Sequence, residues 1–322
     1  MKLALLGTGM IVKEVLPVLT EIDGIELVGI LSTPRSLERA KELSGKYQIG
    51  LATSDYADIL VSSAIDTIYI GTPNHTHYAY AREALLAGKH VICEKPFTLT
   101  LSEFEDLVAI AEQKNLMLLE AITNQYLGNF HYIKDHLSQL GEIKIVECNY
   151  SQYSSRYDAF KRGEIAPAFN PDMGGGALRD LNIYNIHLLV GLFGKPEEVF
   201  YLPNMERGVD TSGVLVLDYK HFKAVAIGAK DCSAEIKSTI QGDKGSIAIL
   251  GPTNTMSQVS LSLNGQEAQV NDKNTPHHRM HAEFTAFEHV IRANDLVARD
   301  QALAHSRLVM EVLEEATQGM DS

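Results

Sequence analysis

Two stretches of the 322-residue chain carry side chains whose types and spacing can do proton chemistry. The first is Gly174-Gly175-Gly176-Ala177-Leu178-Arg179-Asp180-Leu181-Asn182-Ile183-Tyr184-Asn185-Ile186-His187. Three glycines run straight into a helical pattern. They permit close backbone approach and are expected to leave N–H groups free at the helix start. Asp180, Tyr184 and His187 fall at i, i+4 and i+7, one face of a helix with about 3.6 residues per turn. A purely structural alternative makes Asp180 a helix cap, Tyr184 an amphipathic core residue and His187 a satisfied core histidine. The second stretch is Gly88-Lys89-His90-Val91-Ile92-Cys93-Glu94-Lys95-Pro96. A lysine that ends an apolar strand points into a cleft, where it can hydrogen-bond a substrate hydroxyl and a cofactor ribose. Partial desolvation lowers a lysine pKa, so Lys95 can also share in proton transfer. The alternative is a surface lysine at a strand end.

A third stretch can bind an anion. Lys2–Leu6 is a short apolar run, Gly7-Thr8-Gly9 follows, and a helical pattern opens at Met10 and Ile11. Gly7 allows a sharp turn, Gly9 has no side chain to obstruct a pyrophosphate, and the helix start offers N–H groups and the positive end of its dipole. The third glycine of the dinucleotide fingerprint is replaced by Val12, at a position that serves helix–strand packing. The next apolar strand runs into Leu31-Ser32-Thr33-Pro34-Arg35-Ser36 with no acid for a ribose 2′-hydroxyl. Ser32 and Arg35 suit a 2′-phosphate, so either NADP or NAD is expected, with NADP favoured. Gly71-Thr72-Pro73-Asn74-His75-Thr76-His77 follows another strand at a carboxyl end, where such sheets bind ligands. Thr72, Pro73, Asn74, His77 and Glu94 join Lys95 on the expected cofactor side, and Thr76 is expected to cap the next helix. His75 and His77 have no acidic partners nearby in sequence, so no metal site is expected.

These residues must be carried by a definite set of elements. Short apolar strands at about Lys2–Leu6, Ile25–Leu31, Thr67–Ile70, His90–Cys93 and Leu116–Glu120 alternate with helices at about Met10–Glu21, Ser36–Leu43, Ser54–Leu60, Thr76–Ala87 and Leu101–Lys114. That alternation predicts βαβ units and a parallel sheet, a doubly wound nucleotide-binding domain over residues 1–122. Pro17 predicts a kink or early end of the first helix. Beyond, a helix is expected over Asn129–Gln139, and strands over Ile143–Tyr153, Glu198–Tyr201, Gly213–Tyr219, Lys223–Ile227, Ile236–Gln241, Ser246–Leu250 and Gln258–Leu263. With no helices between the later strands, the second domain, residues 123–322, should be α+β with an open, mostly antiparallel sheet. The last helices, about His281–Ala293 and Gln301–Ala316, should pack back on the body.

Bulk properties narrow the function classes. The formal net charge of −13 argues against a general nucleic-acid or anionic-membrane surface. No apolar run is long enough to span a bilayer. The first strand starts at Met1 with no basic stretch before it, so no secretory leader is expected. Cys93, Cys148 and Cys232 lie far apart and suit a reducing cytoplasm.

Gly7-x-Gly9, Thr72-Pro73-Asn74-x-x-His77, Gly88-Lys89-His90-Val91 and Glu94-Lys95-Pro96, in that order and spacing, resemble the glucose–fructose oxidoreductase / inositol dehydrogenase / rhizopine-catabolism (Gfo/Idh/MocA) family. The resemblance covers essentially the whole chain. It implies reversible hydride transfer between NAD(P) and a hydroxyl-bearing carbon of a sugar, cyclic polyol or related diol. It also implies a homodimer or homotetramer through the open sheet. The Gly174–His187 segment resembles the family's Gly-Gly-Gly-Ala-Leu-x-Asp-x-Gly-x-Tyr/His stretch, whose last position is the acid/base. Here that position is Tyr184, as in the dimeric dihydrodiol dehydrogenase branch. The resemblance implies Lys95, Tyr184 and Asp180 as catalytic and His187 and Asn182 as substrate-binding, with the proton handled by Tyr184, His187 or Lys95. Asn182 replaces the usual glycine, and Gln125-Tyr126-Leu127-Gly128 departs from the Arg-x-His-Pro of many relatives. A dinucleotide- and sugar-binding regulator of the same fold and a lyase-like use of tightly held NAD are the alternatives.

Overall fold

The computed structural model describes residues 1–318; the last four positions of the expected 123–322 domain lie outside the described residues. The chain forms two compact units. One holds Met1–Ala121 with Met280–Arg307, the other Ile122–Arg279 with the chain from Leu308 onward.

In the first unit the strands are β1 (Lys2–Leu6), β2 (Glu26–Leu31), β3 (Leu51–Thr53), β4 (Thr67–Ile70), β5 (His90–Glu94) and β6 (Leu118–Ala121). They form one all-parallel sheet in the order β3-β2-β1-β4-β5-β6. The order reverses between β1 and β4, which is where such sheets bind ligands. Helices α1 (Met10–Leu19), α2 (Leu37–Tyr47), α3 (Tyr56–Val61), α4 (His77–Leu86) and α5 (Leu101–Lys114) make the crossovers. The wholly buried Leu3, Leu5, Ile68, Ile70, Val91 and Ile92 show why these strands read as continuous apolar runs: both faces of the sheet are covered.

Local chemistry sets the boundaries. The Thr100 hydroxyl accepts from Glu103 N while Glu103 reaches back to Thr100 N, a capping box that opens α5. Asn115, at φ +54°, closes it. Helix α1 runs two residues past Pro17, and the Thr20 hydroxyl donates to the Pro17 carbonyl. Thr76 does not cap α4 through its side chain. A short 3-10 turn over Asn74–Thr76 already leads into the helix, and the Thr76 hydroxyl bonds the Pro73 carbonyl instead. Strand β3 escaped the sequence reading because three residues show no period.

The second unit holds α6 (Gly128–His136), β7 (Ile143–Ser151), α7 (Tyr157–Lys161), α8 (Ile183–Phe193), β8 (Glu198–Glu206), β9 (Val209–Asp218), β10 (Lys223–Ala229), β11 (Lys237–Gly242), β12 (Gly245–Leu250), β13 (Gln258–Leu263) and β14 (Gln269–Asn271). The eight strands lie in the order β14-β13-β12-β11-β7-β10-β9-β8, and only β7–β10 pair parallel. The inner parity of β7 (Val146, Cys148, Tyr150) is buried. On the other face, cross-strand partners form two apolar rows, Phe200–Val216–Val225 and Leu202–Val214–Ile227. Phe200 and Leu202 are exposed. Helices α9 (Met280–Ala293) and α10 (Leu296–Gln318) follow; α9 lies in the first unit, and α10 passes from the first into the second at Leu308. No helix among the described residues is long and apolar enough to cross a membrane.

Candidate active site

The anion cradle lies where β1 meets α1. Gly7 takes φ +111°, and a Cβ there would sit 2.7 Å from the Gly71 carbonyl oxygen, so both space and conformation demand glycine. Gly9 is the N-cap of α1, makes no side-chain capping bond, and has nothing within 4 Å of where its Cβ would be. The opening N–H groups of a helix have no intrahelical partner, so this end is shaped for a pyrophosphate and fits a dinucleotide. At the end of β2, Ser32 is buried and its hydroxyl bonds the Thr33 carbonyl. Arg35 is exposed and has no ion-pair partner among the described residues.

The Thr72–His77 and Glu94–Pro96 loops are joined by one side chain. His77 is wholly buried, with Nδ1 2.9 Å from the Pro96 carbonyl oxygen and Nε2 2.9 Å from the Thr72 carbonyl oxygen. Burial holds its pKa below the ordinary histidine value, against the raising effect of these carbonyls. Expected on the cofactor side, His77 turns its ring inward and fixes the two loops that carry Thr72, Asn74 and Lys95. Glu94 is buried, and the wholly buried Tyr69 hydroxyl donates to its Oε1 at 2.7 Å. Lys89 is also buried, its ammonium held by the Ser62 and Ile65 carbonyls at 2.7 and 2.8 Å. Of the two lysines in this stretch, Lys89 is therefore a structural one.

In the second unit the glycine run does different work from that expected. Its N–H groups are not free. Gly174 N donates to the Pro171 carbonyl, Gly175 N to Asn170 and Gly176 N to Ala168. The run is a folded loop, and Gly176, at φ +121°, could not carry a Cβ without striking Asp210 Oδ1. Asp210 is buried, and its Oδ2 accepts from Leu178 N and from the Tyr201 hydroxyl, each at 2.7 Å. A buried carboxylate thus takes up the Leu178 N–H at the helix start, where free N–H groups are expected from the sequence. Burial raises the pKa of Asp210, and these two bonds oppose the rise.

The regular helical face expected for Asp180, Tyr184 and His187 is also modified. Leu178–Asn182 is a π-helical turn, and α8 starts only at Ile183. An i→i+5 turn is wider than an α turn, so Asp180 is offset from the Tyr184 stripe. The three differ in exposure: the Asp180 side chain is 37% exposed, Tyr184 8% and His187 0%. The Tyr184 ring lies 6.1 Å from that of Tyr150, centroid to centroid. Its carbonyl accepts from Asn124 Nδ2 at 2.8 Å, and the His187 carbonyl accepts from Gln125 Nε2 at 3.0 Å. Asn124 and Gln125, the latter opening the stretch that departs from many relatives, therefore brace α8. Asn182, expected to bind substrate, is wholly buried. Its Nδ2 donates to the Ala226 carbonyl at 3.0 Å and its Oδ1 accepts from Asn185 Nδ2 at 2.9 Å. A Cβ on Gly228 of β10 would lie 2.8 Å from Asn182 Cβ, which is how closely the helix rides on the strand. Asn182 is an anchor to β10 because its amide is used inside the unit.

Sequence reasoning missed Lys230, which follows β10. It is almost wholly buried, and its Nζ lies 2.8 Å from Asp180 Oδ2. A lone lysine in a strand pattern gives no signal of this kind. Among the described residues no group of three or more His, Cys, Asp or Glu is arranged to hold a metal ion.

Comparison with known proteins agrees with this geometry. Residues 1–121 match the oxidoreductase family with an NAD-binding Rossmann fold, and residues 133–248 match the GFO/IDH/MocA C-terminal domain. Scyllo-inositol 2-dehydrogenase (NADP(+)) IolU of Bacillus subtilis (strain 168) is 32% identical over 322 residues, 99% of this chain and 97% of that protein. Trans-1,2-dihydrobenzene-1,2-diol dehydrogenase of Xenopus tropicalis is 26% identical, covering 98% of this chain and 97% of that protein. The crystal structure of KijD10, a 3-ketoreductase from Actinomadura kijaniata, in complex with NADP and TDP-benzene superposes with a TM-score of 0.82 at 21% identity. It covers 99% of this chain and 97% of that one. The chain belongs to the Gfo/Idh/MocA family of NAD(P)-dependent oxidoreductases.

Proposed function

We propose that the protein oxidises, reversibly, a hydroxyl-bearing carbon of a sugar, cyclic polyol or related diol, using NADP in preference to NAD. The nicotinamide, when bound, exchanges the hydride. Tyr184 takes the hydroxyl proton as hydride leaves carbon, and Lys95 is the second catalytic group, sharing in the proton transfer. Asp180 accepts a hydrogen bond from a substrate hydroxyl. His187 supports α8 beneath Tyr184, and Asn182 anchors the helix. The observation that carries this reading is the combination, within five residues, of a partly exposed carboxylate and a nearly buried phenol, Asp180 and Tyr184. The names of the two relatives, an NADP-dependent inositol dehydrogenase and a diol dehydrogenase, point to the same substrate class. The NADP preference is supported by the unpaired, exposed Arg35 beyond β2 and by the absence of an acid there.

Assembly and setting belong to the same reading. The two apolar rows on the outer face of β8, β9 and β10 support a homodimer or homotetramer through that face. Cys93, Cys148 and Cys232 are all free thiols and the first two are buried, which supports a reducing cytoplasm.

The test is turnover with NADP or NAD across a panel of inositols, sugars and diols, repeated with Tyr184→Phe and Lys95→Ala. Each variant is expected to lower kcat by about 100- to 10,000-fold while cofactor affinity changes little. Near-normal turnover in Tyr184→Phe would move the proton to His187 or Lys95. Cofactor binding without turnover of any panel member would favour a regulator.

A further inference from the structure

We infer that Lys230 is a positioning residue for the reaction, its buried ammonium holding the Asp180 carboxylate from behind in the orientation that receives a substrate hydroxyl. The inference rests on the substrate-binding role proposed for Asp180.

The geometry is that of a rear support. The two ends of the ion pair differ sharply in exposure, 3% for the Lys230 side chain and 37% for that of Asp180. The cation is sealed inside the unit and the anion faces outward. Nζ lies 2.8 Å from Asp180 Oδ2, donates to the Ala168 carbonyl, and stands 4.3 Å from the centre of the Phe169 ring. Phe169 itself stacks on Phe160 at 4.8 Å. The ammonium therefore has a carboxylate, a carbonyl and an aromatic face around it, and its position is over-determined.

The backbone under it is fixed as well. Lys230 N donates to the Thr211 carbonyl, and the Lys230 carbonyl accepts from Ser154 N, each at 2.8 Å. The Ala168 carbonyl that holds the ammonium also receives Gly176 N. One lysine thus ties the end of β10, the glycine loop and the π turn that carries Asp180. The π turn offsets Asp180 from the α-helical stripe, and a carboxylate on such a turn needs a second contact to hold one rotamer. A buried cation supplies that contact. Reacting groups held loosely by even an ångström lose much of their effect.

The test is a double-substitution cycle with the panel compound that the wild-type protein turns over best. Lys230→Met is expected to lower kcat/KM for that compound by about 10- to 100-fold and to leave the dissociation constant of NADP within about twofold. In an Asp180→Asn background the same Lys230→Met change is expected to add less than about twofold. Losses that multiply across the two backgrounds, or unchanged kcat/KM in Lys230→Met, overturn the inference. If Lys230→Met does not fold, Lys230→Arg, which keeps the charge but moves the donor, enters the same cycle with the same two decisions.

Absence of turnover in the wild-type protein would count against the proposed function, and the inference is then decided by crystallography of the Lys230 variant. An Asp180 carboxylate that has left its wild-type position supports the rear support. A carboxylate that has not moved overturns it.

Discussion

Val12 and Gly71 are complementary: a Cβ on Gly71 would lie 2.8 Å from Val12 Cγ2. The dinucleotide fingerprint lacks its third glycine because the room that glycine would leave on α1 is provided from the end of β4. Gly71→Ala is expected to destabilise the protein by about 1–3 kcal/mol through overpacking. Adding Val12→Ala is expected to recover part of the loss. Thermal unfolding of the two single variants and the double one checks this, and additive losses would contradict it.

Arg35 is the residue proposed to select NADP over NAD. It is exposed beyond β2, and no acid stands in the Leu31–Ser36 stretch that carries it. Arg35→Glu is expected to weaken NADP by about 10- to 100-fold and to leave NAD within about threefold. Dissociation constants for both cofactors decide it. Unaltered NADP affinity would remove Arg35 from the 2′-phosphate.

Burial lowers the pKa of both His77 and His90 from the ordinary value of 6.5. His90 Nδ1 accepts from Met117 N at 3.0 Å, which requires the unprotonated nitrogen. A histidine whose folded pKa is depressed binds fewer protons than its unfolded counterpart between 6.5 and the folded value. Its contribution is therefore full above pH 6.5 and is lost as the pH falls from there through the folded pKa. The melting temperature should decline as the pH is lowered below about 6.5, and His90→Asn should make the decline shallower. Parallel curves for the two proteins would exclude His90 as a source.

Phe200 and Leu202 stand on the outer face of β8, paired with Val216 and Val214. Phe200→Asp with Leu202→Asp is expected to yield a folded monomer by sedimentation, and the wild-type protein is expected to sediment as a dimer or tetramer. A wild-type monomer would leave this face without the partner proposed for it.

Much of this architecture was legible because it rests on local signals. Helix α5 was read with both ends, and the capping box at Thr100 and Glu103 shows why. The βαβ alternation needed only apolar runs and their spacing. The site was legible in its residue types and less so in their contacts. Gly176 announced close approach, but the atom approaching is Asp210 Oδ1, more than thirty residues on. The offset of Asp180 depends on a π turn, one extra residue that a helical period does not reveal. His77 and Lys230 act through backbone carbonyls of distant loops, and no sequence pattern records a carbonyl.

Hydride transfer from the carbinol carbon to the nicotinamide is decided by following an isotope. The protein is incubated with NADP and a panel polyol carrying deuterium on the carbon to be oxidised, and the reduced cofactor is examined by NMR. Stoichiometric deuterium at the nicotinamide is expected, with Tyr184→Phe slowing its arrival. Reduced cofactor without deuterium, or consumption of the polyol with no net reduced cofactor, would contradict it.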